Sequence, residues 1–555
     1  MTADGPRGSV SRREWLASML GAPLAASLVA TGCDRPRAAR RSEMLPGQML
    51  GPSMERGHQL RNAELAQASL GLPAGPSEIH DAIIVGGGPS GLAAAWELLR
   101  RGVTNFKLLE LESEVGGTSI SGSSRVTAYP WGAHYLPVPL RENVDLIALL
   151  REMDVVTGES ADGEPIMREE VLVREPDERH FYRGYWYAGL YPSMGASRDD
   201  LAQLARFKRR MGEFAMARDA RGRRAFAIPV DASSDDAEWT ALDRISADAF
   251  LRRENFTSSR LRWLCEYACR DDFGMTLATT SAWALIHYYA ARMKSSESDS
   301  QDLLAWPEGN GALVSHLRSR VGSRIDSNCL TTDIREVDGI VRVSAMRGAE
   351  NVARAYHARR CIVATPQFIA RRIVASMRVA PAEANVFEHG AWLVANVHLH
   401  DRPRSRGFAF AWDNVLYDSP SLGYVTATHQ RGREFGPTVC TYYLPFADAD
   451  ARAGRQRLLQ HSLHDWQEAV LADLRRAHDG LDACVDKIDV WRWGHGMVQP
   501  RVGSLWSGAR VRAQAPRGQI HFAHSDLSGI ALFEHAFHHG VRAAREVATA
   551  LRSPS

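Results

Sequence analysis

Four consecutive apolar residues, Ala82-Ile83-Ile84-Val85, precede three glycines and then Leu92-Ala93-Ala94-Ala95. A short unbroken apolar run predicts a strand covered on both faces, and the Leu/Ala-rich stretch behind it predicts a helix. A second such run, Phe106 to Leu109, makes the segment a parallel β-α-β unit. Residues 140–300 largely keep helical spacing, with loops around Gly158–Gly163 and Ser233–Asp236, and Ser281–Tyr289 is an aromatic-rich helix. From 390 to 445 the period becomes two. Leu393, Ala395, Val397 and Leu399 share a face, and Tyr424–Thr428 and Thr438–Tyr443 repeat the alternation, which predicts an antiparallel sheet. The expected class is α/β: a parallel β-α-β unit, then helices, then an antiparallel sheet beside them.

The glycines add chemistry to the first unit. Gly86, Gly88 and Gly91 stand at G-x-G-x-x-G spacing, with Pro89 and Ser90 between them. The first permits a tight turn, the second lets a pyrophosphate reach the backbone, and the third lets helix and strand pack closely. The helix N-terminus then offers free N–H groups and partial positive charge to phosphates. Glu110 closes the second strand, 24 residues after Gly86, where an acid accepts hydrogen bonds from a ribose diol.

The N-terminus reads differently. Ser11-Arg12-Arg13-Glu14-Trp15-Leu16 places two arginines at the edge of an apolar run, Trp15–Gly32, interrupted by Gly21 and Pro23. That run is marginal for a spanning helix and fits a Tat-type export signal over residues 1–33. Ala30-Thr31-Gly32-Cys33 resembles a lipoprotein cleavage box, so Cys33 would carry a lipid and tether the protein to a membrane; cleavage and release is the alternative. Tat-type export carries folded proteins, so the expected partner is the Tat machinery, the expected location the periplasm, and the expected cofactor a tightly held flavin. Residues 34–78, rich in Arg, Pro, Gly, Ser and Met, read as a linker with one short helix near Asn62–Ser69.

Composition narrows the rest. The chain has 555 residues, 45% of them hydrophobic, enough for a large core in two connected domains, and its net charge of +2 gives no field for nucleic acid. Seven cysteines contain no C-x-x-C; Cys265 and Cys269, at i, i+4, read as buried free thiols.

Further motifs carry a family resemblance. Ser113-Glu114-Val115-Gly116-Gly117-Thr118, Trp131-Gly132-Ala133-His134-Tyr135, Trp306-Pro307-Glu308-Gly309-Asn310-Gly311, Ile334-Arg335-Glu336-Val337, Cys361 to Pro366, and Phe522-Ala523-His524-Ser525-Asp526 follow in order. Glu534-His535-Ala536-Phe537-His538-His539-Gly540 completes the set. The series resembles the flavin amine oxidase, protoporphyrinogen oxidase and phytoene desaturase superfamily. The resemblance implies a glutathione-reductase-type, Rossmann-like FAD domain from residues 79–136, 301–385 and 496–552, with an inserted α+β substrate domain from 137–300 and 386–495. It implies FAD contacts from Gly116, Gly117, Thr118, Gly132, Ala133, Ile334, Thr365, Ser525 or Asp526, and the helix start Leu532-Phe533-Glu534. Thr118 replaces the superfamily's usual arginine, and the strand Trp392–Leu399 lacks the lysine that amine oxidases place near flavin N5.

His134 and His495 are the expected acid–base residues, because an imidazole suits proton transfer near neutral pH. His535, His538 and His539 lie at metal-ligand spacing on one helix, but no carboxylate or cysteine accompanies them in sequence, and no metal is expected. Asp272-Phe273-Gly274 imitates a kinase signature without its companion motifs. The expected activity is hydride removal from a small organic substrate, amine oxidase-like. The alternatives are a polyene desaturase or isomerase, a protoporphyrinogen oxidase-like enzyme, and a flavoprotein with a binding role and no turnover.

Overall fold

The computed structural model describes residues 45–62, 78–296, 302–378, 386–447 and 450–552. The export signal, Cys33 and most of the helix expected at 62–69 lie outside these residues. In chain order the elements that matter here are β1 (Met49–Leu50), β2 (Ile79–Val85), α1 (Pro89–Arg100), β3 (Phe106–Leu109), β4 (Glu178–Tyr182), β5 (Tyr185–Ala188), α2 (Ser259–Phe273) and α3 (Ala282–Ala290). They continue with β6 (Ile325–Asp326), β7 (Cys329–Val337), β8 (Ile340–Arg347), β9 (Val352–Val363), β10 (His389–Leu399) and β11 (Asp413–Leu416). The last are β12 (Gly423–Thr426), β13 (Thr438–Pro445), β14 (Val485–Val498), β15 (Ile520–Phe522) and α4 (Phe533–Arg552).

The first sheet runs β6-β3-β2-β9-β8-β7, with β15 also paired to β9. Its centre is parallel: Ile84 faces Leu108 on one side and Ile362 on the other. β9 serves two purposes along its length. Residues 352–358 pair antiparallel with β8, while 361–363 pair in parallel with β15. The expected β-α-β unit is present, with Ala82, Ile83 and Ile84 fully buried. Covering helices α1 and α4 touch closely, since a Cβ on Gly540 would lie 2.2 Å from the Ser90 carbonyl oxygen.

The second sheet runs β1-β14-β10-β13-β12-β11-β4-β5. The alternation in β10 is real, but every residue of that strand is buried. Leu393, Ala395, Val397 and Leu399 pack into one core, whereas Trp392 and Val394 enter a second, aromatic one. Asn396, on the polar phase of the pattern, donates to the Pro130 carbonyl at 3.1 Å. A period of two therefore marks two buried faces here, not one wet face.

The expected linker also needs correction. Met49–Leu50 joins the sheet in parallel with Val490–Trp491, and Arg56 donates to the carbonyl of Asn328 at 2.6 Å and of Met346 at 3.1 Å. Polar composition suggested a free segment; an open strand edge and exposed carbonyls supply hydrogen-bond partners that composition does not reveal. Among the described residues, no helix is long and apolar enough to cross a membrane. Cys265 and Cys269 are buried and free.

Candidate functional site

The glycine loop has the geometry its spacing predicts. Gly86 has φ +103°, and a Cβ there would lie 2.6 Å from the Ala364 carbonyl oxygen. On Gly91 a Cβ would lie 1.8 Å from the Gly86 carbonyl oxygen, whereas on Gly88 the nearest atom is Gly117 Cα at 3.9 Å. Gly88 is thus spared a side chain by something other than the protein. It begins α1 as an N-cap with no side-chain partner, and Pro89 fills the first turn. The Gly87 N–H donates to Glu110 Oε2 at 2.5 Å and the Glu112 N–H to Oε1 at 2.8 Å. Burial pushes the Glu110 carboxyl up to about 7, against the pull of these amides, because no cation offsets it.

The remaining expected contacts converge on this loop. The Gly116 N–H donates to the Gly87 carbonyl, and Gly116 and Gly117 both have positive φ. The Ala133 N–H donates to the Thr118 carbonyl, and the Asn310 N–H to that of Ala133. A Cβ on Gly132 would lie 2.2 Å from the Thr118 carbonyl oxygen. Around this cradle Ser90 Oγ, Thr365 Oγ1, Asn310 Oδ1 and Glu534 Oε1 are buried without hydrogen-bond partners. Orphaned polar atoms in a water-poor site imply a polar ligand that satisfies them. A dinucleotide carrying phosphates, hydroxyls and a heteroaromatic ring fits this donor and acceptor set.

Two expected contacts change. Ile334 is fully buried, paired with Val343 in β8 and bridged to Val374 on its other side, so no open strand edge remains at that residue. Asp526 is spoken for: His389 Nε2 and His524 Nδ1 each lie 2.9 Å from its carboxylate, and the Gln367 N–H donates to it at 2.7 Å. Burial alone would raise its pKa; the charges of His389 and His524 hold it well below the usual carboxylate range. Ser525, beside it, is 9% exposed, whereas Asp526 is fully buried. Leu532 packs against the helical core, Phe533 lies on Phe537 at 6.0 Å, and Glu534 occupies the first turn of α4, 4% exposed.

Past Ala133 the chain enters a cluster of rings and carboxyls that sequence reading did not foresee. His134 stacks on Tyr443 at 4.7 Å and lies 5.6 Å from Trp412, while Tyr443 Oη donates to the Gly132 carbonyl at 2.9 Å. Tyr135 Oη donates to Asp271 Oδ2 at 3.2 Å and Asp272 Oδ1 at 3.1 Å, both at the end of α2. Arg292 pairs with Asp272 at 2.5 Å and lies 4.5 Å over the Tyr288 ring. Burial, then the Asp272 charge, raises the pKa of Asp271. The Asp272-Phe273-Gly274 triplet is a helix end: Gly274 is a left-handed cap whose Cβ position would meet Trp392.

His134 stands beside these carboxyls, and burial lowers its pKa to about 3. His495 is elsewhere, on β14, with Phe368 at 4.6 Å and His389 at 6.3 Å as ring neighbours. In the aromatic-rich helix Ala282–Ala290, Tyr288 is partly accessible, whereas Trp283 is fully buried core. The structure does bring a carboxylate, Asp231, to 3.4 Å from His538, but Arg510 occupies its other oxygen at 3.3 Å. Asp271, Asp272 and Arg292 left no distinguishing trace in sequence, since Arg260, Arg262, Glu266 and Arg270 put charges along the same helix.

The family model for flavin-containing amine oxidoreductases matches residues 89–548. No curated protein matches the chain. Putrescine oxidase bound to putrescine superposes with a TM-score of 0.63 at 17% identity, covering 85% of this chain and 100% of that one. Cyclohexylamine oxidase from Brevibacterium oxydans IH-35A gives 0.60 at 15% identity, covering 86% of this chain and 100% of that one. A fatty acid isomerase from P. acnes gives 0.59 at 15%, covering 84% and 98%. At these identities the likeness concerns the fold alone; the family match is what carries the FAD cofactor and the oxidoreductase class. The chain belongs to the flavin-containing amine oxidoreductases.

Proposed function

We propose that this FAD-dependent oxidoreductase oxidises an amine, and that residues 1–33 export it to the periplasm. The observation that carries the substrate is the cluster beside Gly132–Ala133, where Asp271 accepts from Tyr135 and has no ion-pair partner among the described residues. An apolar polyene would leave Asp271 without a countercharge, whereas an ammonium group would supply one. Export rests on Arg12-Arg13 and the apolar run that follows.

FAD, when bound, supplies the two-electron acceptor for hydride from the carbon next to nitrogen. The chain's part begins with a proton, because an ammonium has no lone pair and must be deprotonated before that carbon can lose hydride. Arg292 offsets part of the cost of charge on Asp272. Burial, with the Asp272 charge, raises the pKa of Asp271, which makes the Asp271 carboxylate the stronger base of the two. Asp271 Oδ2 is therefore assigned as the proton acceptor. Tyr135 Oη bridges the two carboxyls and relays the proton between them. The neutral His134, Tyr443 and Trp412 rings exclude water and orient the amine. Anaerobic mixing of holoenzyme with primary amines is expected to bleach the flavin absorbance. Bleaching by polyenes or porphyrinogens, and by no amine, would overturn the reading.

Glu110 gives a second test. In the apoprotein its carboxyl is half protonated near pH 7, and accepting two ribose hydroxyls requires the carboxylate. FAD affinity is therefore expected to fall below that pH by up to about tenfold per unit. Glu110→Gln is expected to weaken binding about 10- to 100-fold, the range of a charged hydrogen bond, and to flatten the pH dependence. Fluorescence titration of apoprotein with FAD reads both.

A further inference from the structure

A cavity of about 40 Å³ is lined at one end by the exposed residues Glu142 and Ala232 and at the other by Glu534, in the first turn of α4. A water needs roughly 10–15 Å³, so there is room for about two or three. The cavity joins two charged groups that lack counterions. Glu534 is 4% exposed, its Oε1 has no partner, and no basic group stands at ion-pair distance among the described residues. Arg224, on the same lining, is 7% exposed and has no carboxylate at ion-pair distance among the described residues. It donates instead to the carbonyls of Phe226 at 3.2 Å, Ala290 at 2.9 Å and Met293 at 3.0 Å. Buried charge without a partner is costly, and water in the cavity is what can solvate both groups.

Other charges act on Glu534. Arg292 favours its ionised form and Asp272 its neutral one, while His535, next on the helix, is fully buried and kept neutral by that burial. Burial outweighs the rest and pushes the Glu534 carboxyl up to about 7. A carboxyl poised there changes its protonation when one further charge arises nearby. Flavin reduction supplies that charge, since two electrons and one proton leave one negative charge behind. The resemblance noted above sets the start of α4 against the flavin, where the positive end of the helix favours such a charge. A carboxylate in the same turn opposes it.

We propose that Glu534 binds one proton from solvent, drawn through the water of this cavity, whenever the flavin is reduced, and returns it on reoxidation. The electrons stay on the flavin. One proton passes from bulk water to a Glu534 oxygen, so the net charge of the site is the same before and after reduction. The assignment requires FAD at the start of α4 and holds for any substrate.

Potentiometric titration of the holoenzyme with redox mediators tests this without any amine, so amine oxidation can fail while the proton site stands. For a two-electron couple, each proton taken up lowers the potential by about 30 mV per pH unit. Above about pH 7 the wild type is expected to fall by about 60 mV per unit, one proton accompanying the flavin and one Glu534. Glu534→Gln should fall by about 30 mV per unit, and the two potentials should converge at lower pH, where Glu534 is protonated in both redox states. In reduced-minus-oxidised infrared spectra the wild type should gain a carboxylic acid carbonyl band that E534Q lacks. Ala232→Trp, at the exposed rim, should slow proton uptake several-fold, read with a pH indicator, and leave the wild-type slope unchanged. Uptake at the wild-type rate in A232W would overturn the route. Equal slopes in wild type and E534Q would overturn the proposal, as would a wild-type spectrum with no new carboxylic acid band, a result that needs no variant to fold.

Discussion

Gly91→Ala is expected to yield no folded protein, whereas Gly88→Ala should fold normally and come out colourless. At Gly91 the new Cβ would sit 1.8 Å from the Gly86 carbonyl oxygen, and Gly86 is itself pinned by φ +103° and by Ala364. Neither partner is a flexible side-chain tip, so β2 and α1 must part. Ordinary overpacking costs roughly 1–3 kcal/mol, and a backbone clash in the central strand exceeds that, against a total stability of about 5–15 kcal/mol. Gly88 is the contrast. Its φ of −71° and ψ of −176° suit alanine, and nothing in the protein approaches closer than 3.9 Å. What a methyl there would meet is the diphosphate of bound FAD, which the bare backbone at the start of α1 would hold. Soluble expression and thermal unfolding read the first variant, and the ratio of flavin to protein absorbance the second. A G91A protein melting within about 2 °C of wild type, less than ~1 kcal/mol shifts a chain of this size, would contradict the packing argument. A yellow G88A protein would contradict the cofactor argument.

Arg292→Met is expected to cost about 3–5 kcal/mol, the penalty for stranding a buried carboxylate. Asp272 is 2% exposed, has Asp271 as its chain neighbour, and depends on Arg292 for its charge. Without the guanidinium the folded-state pKa of Asp272 rises further above its unfolded value. Such a group costs nothing when protonated in both states, and its cost grows as pH climbs above the unfolded value of about 4. The defect in R292M should therefore be large at pH 7 and fade as the pH falls towards 4. Met at position 292 combined with Asp272→Leu should recover most of the loss, because removing both charges spares the desolvation. Urea midpoints across pH measure each effect. A loss below about 1 kcal/mol at pH 7, as for a surface pair, would show that the pair is solvated rather than buried.

The nucleotide half of the site was legible because its signals are local. Gly86 to Gly91, the apolar runs on either side and Glu110 lie within one β-α-β unit, where backbone sterics and strand period leave little choice. The acidic cluster was hidden for the opposite reason. Asp272 opens a triplet that imitates an unrelated motif, and Asp271 directly precedes it. Only the fold brings Tyr135 and Arg292, from separate segments, to these carboxyls. The surroundings of the histidines were equally hidden. His134 and His495 have the right side chain for proton transfer, but burial fixes one as neutral and the other stands beside Phe368.

By itself, the chain order of residues determined a dinucleotide cradle, two sheets of different period and the family to which the motifs belong, since each of these depends on neighbours within about one turn or one strand. The tertiary structure decided which acids face one another, which imidazole loses its proton, and that Met49–Leu50 completes a sheet edge more than four hundred residues away. Those outcomes depend on burial and on the distance between charges from separate elements, and the energy of a charge is set by its surroundings, which no local pattern encodes.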